Sequence, residues 1–397
     1  MHHPHWRAGF IAALIAVAPV QAQTLRQALE AAWDKQPAQR AQSARQNELD
    51  AKLRAAGALT PEPASVTLAQ RNDRIGSNLG QREWEIELAA PIWLPGQRAR
   101  QQALVQAEDG AFGAAQSLAK WRLAGELREL WWQARLAEAE RDLAGQRVAS
   151  AAALAADVER RVKAGDLAKV DANRARGEEQ SARIALGEAD VRAYRALQQF
   201  TALTGIAGLP LQAEQAAAAP ALEHPQRVAA QQQLTLAQRR VGYASATRRD
   251  APELSLALTR ERGTFDERYG NSLMLRLKIP FATDARNQPR LAAAQAELAE
   301  ADAAQALDGA RLDAEAASAR RELERAQAAL KLSAARVELA RESHQLQERA
   351  FKLGELDLSS RLRAEAERFE AERNLVKAGL EAGYAISKLN QALGVLP

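Results

Sequence analysis

Histidine, methionine and cysteine are the side chains best suited to bind a metal or move a proton, and they are scarce in this chain. Three of the five histidines lie within the first five residues, which leaves His224 and His344. His344 stands in a heptad-spaced apolar stripe between Val337 and Phe351, so we expect a packed core histidine there. His224 precedes Pro225, where a role in a turn is expected.

The other chemistry-bearing residue types are equally sparse. The chain has no cysteine, which excludes disulfides and thiolate metal sites. Met274 is the only methionine after Met1, and a lone methionine is no soft-metal site. No nucleophile, base and orienting group can be placed together, and no phosphate-binding loop motif occurs. We therefore predict no catalytic residues, no cofactor and no metal site.

Charge and the N-terminus indicate where the chain works. The formal net charge of +4 is small for 397 residues and gives no case for nucleic acid as a partner. Arg7 precedes an apolar run over residues 9–18, and residues 20–22 suit the cleavage positions of a secretory signal peptide. A membrane anchor would need about twenty apolar residues. We predict a signal peptide over residues 1–22 and export from the cytoplasm.

The two halves of the chain are related by a fixed spacing. Residues that break or turn a chain recur at an offset of 189 residues, together with one arginine: Pro63 and Pro252, Arg71 and Arg260, Pro91 and Pro280, Gly165 and Gly354, Gly205 and Gly394. This predicts a duplicated unit. Repeat 1 covers 23–205, a linker covers 206–225, and repeat 2 covers 226–397. Each repeat is predicted to contain a helix, two strands and a long helical hairpin, which turns near residue 165 or 354.

Each repeat is predicted to contain a hairpin of short strands. Residues 83–90 and 271–279 alternate between apolar and polar side chains, which is typical of strands. The strands before them, 64–71 and 253–260, differ by one residue in apolar phase, so we expect a bulge or register shift. One face carries Trp84, Ile86, Leu88, Leu273, Leu275 and Leu277, and the other carries Glu85, Glu87, Arg276 and Lys278. This pattern suits a soluble half-buried sheet, the commoner kind, or a lipid-facing barrel.

Two proline-free segments, residues 97–164 and 290–353, predict helices of roughly 100 Å each at about 1.5 Å per residue. Apolar residues recur in them at intervals of seven, which is typical of coiled coils. The stripes are Leu323, Leu330, Val337, His344, Phe351 and Leu358, and Leu123, Leu130, Ala137 and Ala144. Four strands leave two open sheet edges, and membrane barrels need at least about eight strands, so a barrel would require several chains.

Three kinds of segment carry a family resemblance, and each lies where a strand or helix ends. They are the strand exit Ile279-Pro280-Phe281 with DARNQ at 284–288, the turn AFKLGELDL at 350–358 echoed by RVKAGDL at 161–167, and the closing LTG at 203–205 and ALG at 392–394. In this order they resemble the TolC family of outer-membrane efflux ducts, most closely its cobalt-zinc-cadmium branch, the CzcC-like channels. The resemblance runs from Thr24 to Gly394.

The resemblance implies a mainly α fold with a small β part and an internal twofold repeat. Each protomer would supply four strands and long antiparallel coiled-coil hairpins. Three protomers would form a twelve-stranded β-barrel in the outer membrane, continued by a periplasmic α-helical barrel. The implied function is a passive exit duct for substrates, heavy-metal cations in this branch. An inner-membrane pump of the resistance-nodulation-division (RND) type would deliver them through a periplasmic adaptor.

Two features depart from the family pattern. The linker over residues 206–225 is short and rich in alanine and proline, which implies a reduced equatorial belt. Pro289, beside the DARNQ segment, is expected to delay the second long helix by about one residue.

The resemblance also assigns roles to the hairpin tips. Gly165 and Gly354 would form the periplasmic turns, and Leu167 and Leu356 beside them would contact the adaptor. The three acids nearest these glycines, Asp166, Glu355 and Asp357, would form carboxylate rings at a gate in a trimer, unless they only cap the returning helices. The six apolar strand residues from Trp84 to Leu277 named above would face lipid, with the charged face toward water.

Two other functions stay open at this stage. Within the family, the duct could carry drugs or secreted polypeptides instead of metal ions. Outside it, the long heptad stripes also suit a periplasmic coiled-coil scaffold without a pore.

Overall fold

The computed structural model describes residues 24–281 and 283–397, so the predicted signal peptide lies outside the described residues. The described chain is mainly helical with one four-stranded antiparallel sheet, which confirms the predicted class. Its elements are α1 Leu25–Lys35, α2 Pro37–Ala56, β1 Ser65–Asn72, β2 Arg82–Pro91, α3 Gln97–Ala164, α4 Lys169–Thr204, α5 Pro225–Ala246, β3 Glu253–Arg262, β4 Gly270–Lys278, α6 Asp284–Lys352 and α7 Leu358–Ala392.

The sheet has the strand order β1-β2-β3-β4, so β1 and β4 are its edges. All three pairings are antiparallel and uninterrupted, and the bulge expected from the one-residue phase difference is absent from these strands. The difference instead lies in the hairpins. Leu256 and its partner Leu275 are one residue further apart along the chain than Leu68 and its partner Ile86. Loop length absorbs the extra residue, so the apolar side chains of β3 stay in phase with those of β2 and β4.

The two longest helices are α3 with 68 residues and α6 with 69 residues, each about 100 Å long at about 1.5 Å per residue. Pro289 does not delay α6, which begins at Asp284 and contains the proline. The first turn is held from outside the helix: Asn287 donates from Nδ2 to the carbonyl oxygen of Arg248 at 3.0 Å, and Arg286 pairs with Asp250. Losing one backbone hydrogen bond so close to the helix start is therefore tolerated.

Two helical layers extend from the sheet. Close to the strands, α5 packs on both α3 and α6, and α2 packs on the other side of α3. Further away, α4 packs on α3, α7 packs on both α3 and α6, and the order across the layer is α4, α3, α7, α6. Alanines such as Ala175, Ala326 and Ala371 are almost fully buried at these contacts, which lets the helices approach closely. The predicted heptad stripe is right as far as Phe351, but Leu358 lies on α7 because the chain turns between them.

The largest core lies halfway along the helices. Trp131, Leu127 and Phe200 are buried there, together with residues of α1. Residues 206–224 wrap this level without forming a helix or strand. Arg128 of α3 is 2% exposed and holds this segment through a bidentate pair with Glu214, at 2.9 Å from Nε and 2.7 Å from Nη2. Its guanidinium also donates to the carbonyl oxygen of Val395 at 2.9 Å, which ties the chain end to the same point.

Candidate functional site

One face of the sheet is apolar and exposed. Across the four strands, Leu68 lies opposite Ile86, Ile86 opposite Leu258, and Leu258 opposite Leu273. The face includes all six residues predicted to contact lipid: Trp84, Ile86, Leu88, Leu273, Leu275 and Leu277. Each of the six is between 52 and 70% exposed. A contiguous apolar surface of this kind marks contact with a partner or a membrane.

Aromatic side chains lie at both ends of this face. Trp84, Phe265 and Tyr269 are exposed near the two hairpin loops, and Phe281 is exposed near the start of α6. The ten residues of β3 extend about 34 Å at about 3.4 Å per residue, or about 26 Å along an axis tilted by about 40° from the strand. An apolar band of about 25 Å between aromatic girdles is the arrangement of a membrane-embedded sheet.

The opposite face of the sheet is polar and includes the four charged residues predicted to face water. Arg276 pairs with Glu87 across the strands at 2.8 Å. Met274 lies on this polar face, and its sulfur accepts a hydrogen bond from Arg276 at 3.5 Å. The carboxylates of this face outnumber its cationic groups: Glu83, Glu85, Glu87, Glu253 and Glu261, against Arg71, Arg276 and Lys278.

The two hairpin tips have the same backbone geometry. Gly165 and Gly354 adopt φ of +88° and +77°, which favours glycine because a Cβ strains this conformation. After α3, the amide of Asp166 donates to the carbonyl oxygen of Arg161 at 2.9 Å. After α6, the amide of Glu355 donates to the carbonyl oxygen of Ala350, also at 2.9 Å. Both helices thus end in the same glycine-dependent cap.

The tips pack against each other through an apolar cluster. Val158 and Phe351 are buried at its centre, and Leu167 and Leu356 are half-buried at its edge. The more exposed apolar side chains beside the tips are instead Val170 and Leu353, at 53 and 74%. The sequence does not single out these two, because exposure depends on which side of each helix meets its neighbour.

The three tip acids differ in their surroundings. Asp166 and Glu355 are exposed, with no ion pair to any described residue. Asp357 is the N-cap of α7, and its carboxylate accepts a hydrogen bond from the amide of Ser360 at 3.0 Å. Hydrogen bonds from the side chain and then the backbone of Ser360 hold the pKa of Asp357 below its usual value. Capping therefore accounts for Asp357 but not for Asp166 or Glu355.

The outer edges of the helical layer carry heptad-spaced apolar side chains. On α6 these are Leu332, Leu339, Leu346 and Leu353, all between 58 and 74% exposed. On α4, Val170, Ile184 and Val191 are between 47 and 66% exposed, and Gly177 continues the spacing. Since α3 and α7 lie between α4 and α6, the two stripes are on opposite edges of one chain. A coiled-coil seam without a partner helix is an unfilled interface.

The two histidines are packed within the fold. His224 caps α5 by accepting a hydrogen bond at Nδ1 from the amide of Gln226, and its ring meets Trp121 edge-on. His344 is half-buried between α6 and α7, and burial followed by the nearby Arg368 lowers its pKa. Within the described ranges, no group of three or more potential ligands could hold a metal ion.

None of the helices in residues 24–281 and 283–397 combines the length and the hydropathy needed to span a membrane.

Comparison with solved structures gives long matches at low sequence identity. CusC, studied for its folding and transmembrane channel formation, has a TM-score of 0.78 at 18% identity, covering 99% of both chains. The outer membrane protein VceC from Vibrio cholerae has a TM-score of 0.76 at 18% identity, covering 94% of this chain and 96% of its own. The CmeC outer membrane channel of Campylobacter jejuni has a TM-score of 0.74 at 15% identity, covering 99% and 94%.

No protein-family model and no curated sequence matches the chain. The structural matches show that it has the fold of these channel proteins along nearly its whole described length.

Proposed function

We propose that three copies of this chain form an outer-membrane duct of the TolC kind, through which substrates leave the periplasm. The proposal is supported by the shared fold and by the exposed apolar face of the sheet. The four strands form the membrane end, and the helices extend about 100 Å into the periplasm. The chain performs no catalysis, and the energy for transport comes from a pump.

The observation that carries this proposal is that the described chain has edges without a partner in two places, the sheet and the helical layer. In the sheet, β1 and β4 lack an outer neighbour, and in the helical layer α4 and α6 present apolar stripes. Each pair of edges differs in sequence, so copies must join head to tail, and such joints close into a ring if the rotation fits. Three copies supply twelve strands, enough for a membrane barrel.

The substrate we propose is a heavy-metal cation, on the strength of the CzcC-like segments at 279–288 and 350–358. The excess of carboxylates on the polar face of the sheet supports this, because a trimer would present that face to the lumen three times. A passage with net negative charge concentrates cations and disfavours anions. An RND-type pump and a periplasmic adaptor are the partners that such a duct requires.

For the adaptor, we propose that the tips are the docking surface. Leu167 and Leu356 help to pack the two tips together, so substitution there changes the tip as well as its surface. Val170 and Leu353 are more exposed, but they belong to the outer-edge stripes of α4 and α6 that copies would share. Bulky substitutions at Leu167 and Leu356, with both tip glycines retained, should weaken binding of a purified adaptor while the trimer still assembles. Unchanged affinity in both variants would reject docking at the tips.

For the gate, we propose that the free carboxylates of Asp166 and Glu355 line a narrow cation-attracting ring, with Asp357 adding charge while capping α7. The variant Asp166→Asn/Glu355→Gln should lower cation selectivity and divalent-cation block of single trimers in planar bilayers. Adding Asp357→Asn tests the third ring with the cap preserved, since asparagine also caps helices well. Wild-type selectivity and block in both variants would place the constriction elsewhere.

The whole proposal is tested by imaging detergent-extracted protein and by transport. Particles should be threefold tubes, and the chain should restore metal resistance to cells that supply the matching pump and adaptor but lack a duct. Soluble monomers in the absence of detergent would contradict the barrel. Threefold tubes that restore resistance to drugs and not to metals would show that the duct is right and only the proposed substrate class is wrong.

A further inference from the structure

At the hairpin end of the apolar face, two arginines have no acidic partner in the part of the chain that the structure describes. Arg260 and Arg262 lie on the same face of β3 as Leu258, because side chains two residues apart share a face. Within the described part of the chain neither forms an ion pair. Arg262 donates from Nε to the carbonyl oxygen of Gly80 at 3.2 Å, and the side chain of Arg260 makes no hydrogen bond to a described residue.

Both guanidinium groups are stacked on aromatic rings. The Cζ atoms of Arg260 and Arg262 lie 4.8 and 4.9 Å from the centre of the Tyr269 ring, so they are at most 9.7 Å apart. Arg262 also lies over Phe265 at 5.4 Å. Stacking of this kind fixes the positions of the cations while leaving the terminal N–H groups free to donate.

The two hairpin loops beneath these arginines are joined by direct contacts. The two hairpin loops meet where the amide of Phe265 donates to the carbonyl oxygen of Leu79 at 3.2 Å. Gly80 approaches Phe265 so closely that a Cβ at Gly80 would lie 2.5 Å from its backbone nitrogen. Asp73 receives hydrogen bonds from the amides of Leu79 and Gly80, at 2.5 and 3.1 Å, which closes the first loop.

The charged groups near these two arginines either have a partner of their own or point away from them. Arg82 lies directly opposite Arg262 across β2 and β3, and like charges in that position repel. Asp73 compensates Arg82 through an ion pair of 2.8 Å, in which both side chains are largely buried. The acids next to the free arginines, Glu83 and Glu261, point to the other face of the sheet. Among the described residues, these two positioned cations thus remain without an ion-pair partner.

We propose that Arg260 and Arg262 bind the phosphate of an anionic lipid headgroup, and this rests on the proposed membrane orientation. Immediately along β3 lies the apolar band, and Trp84 is directly opposite Arg260 on β2. A lipid whose acyl chains cover Leu256 and Leu258 would place its headgroup at the height of these arginines. Since the hairpin loops lie at the end opposite the tips, this lipid belongs to the outer leaflet. Guanidinium groups bind phosphate oxygens in bidentate geometry.

Native mass spectrometry of detergent-extracted trimers tests this site with diphosphoryl lipid A as the probe. The variant Arg260→Gln/Arg262→Gln should bind it about 10- to 100-fold more weakly than wild type, because charged hydrogen bonds are lost. Arg71→Gln is the matched control. It removes an exposed arginine at the same end of the sheet but on the opposite face, and its affinity should stay within about twofold of wild type. The variant Arg260→Lys/Arg262→Lys should keep part of the binding, since the charges remain.

Three results would overturn the lipid site: equal affinity in all variants, equal binding of a lipid A stripped of both phosphates, or complete displacement by inorganic phosphate. The last would show a site for free anions. The same spectra report assembly separately. Absence of trimers in wild type would contradict the proposed duct, whereas trimers with unchanged lipid affinity would contradict only the lipid site.

Discussion

The region around Arg128 and the β-sheet differ in how many of their contacts lie within one chain. Around Arg128, a charged side chain that is 2% exposed has acidic and carbonyl partners from the linker and from the chain end, all in the same chain. In the sheet, Leu275 is 70% exposed, and both edge strands lack a neighbour. One chain therefore completes its central level alone, whereas in the proposed duct lipid and further copies would complete its sheet and helical edges.

The largest effect is expected where the single chain is complete. Arg128→Ala leaves the buried carboxylate of Glu214 without a partner and should cost about 3–5 kcal/mol of protomer stability. The pair of exposed Arg373 and half-buried Glu140, at 3.2 Å, is the matched control, and Arg373→Ala should cost about 0–1 kcal/mol. Denaturant unfolding in detergent measures both. Equal costs would show that the linker is not held through Arg128.

A smaller effect is expected where lipid completes the structure. Leu275→Arg on the apolar face should cost about 2–4 kcal/mol near the middle of a bilayer. Met274→Arg, one residue away on the polar face, should cost far less because it would point into water. Folding into lipid vesicles at graded urea concentrations gives both values. If the two variants are equally stable, the apolar face does not contact lipid.

The next effect concerns the edges that another copy would fill. Leu339 is 66% exposed in one chain, so Leu339→Ala should leave protomer folding unchanged and weaken the trimer, with at most about 1.5–3 kcal/mol lost at each of three interfaces. Leu222→Ala removes a still more exposed leucine from the linker and serves as the control. Trimer dissociation on dilution in detergent distinguishes them. A trimer that is equally stable in both variants would exclude this stripe from the interface.

The smallest effect is expected at a tip, where one hydrogen bond caps α7. The pKa of Asp357 is lowered by its hydrogen bonds to Ser360, so its contribution is present above the unfolded value of about 3.9 and is lost as pH falls through the folded value. In Asp357→Asn, the proteolytic sensitivity of the tip should not rise over that acid range. If proteolytic sensitivity of the tip still rises in acid in this variant, as in wild type, the rise comes from groups other than Asp357.

The sequence predicts the parts of the fold that have a local period. Strict alternation placed Trp84, Ile86 and Leu88 on one face correctly, because in a strand the face follows from the position alone. Counting in sevens found the seam through Val337 and Phe351. The same count wrongly extends the seam to Leu358, because a spacing of seven runs on through the turn although α6 ends at Lys352.

Contacts between distant segments had no such signal. Arg128 and Glu214 are 86 residues apart, and the linker that carries Glu214 has no periodic pattern. The stacking of Arg260 and Arg262 on Tyr269 joins residues that are closer in sequence, but it depends on the conformation of the loop between β3 and β4. The exposed stripe from Leu332 to Leu353 is visible in the sequence as a second series of leucines at intervals of seven along α6. Only the helix packing shows that it has no partner within the chain.

The central claim is that separate copies join α4 to α6, and cysteine cross-linking tests it most directly. The chain has no cysteine, so Ile184→Cys combined with Leu332→Cys or Leu339→Cys introduces the only thiols. Helices α3 and α7 separate these positions within one chain, beyond the roughly 7 Å that a disulfide allows between Cα atoms. Mild oxidation of membranes should give a ladder that ends at a covalent trimer, and the single-cysteine variants should give none. Monomers alone, or a ladder continuing past three chains, would contradict the closed trimer.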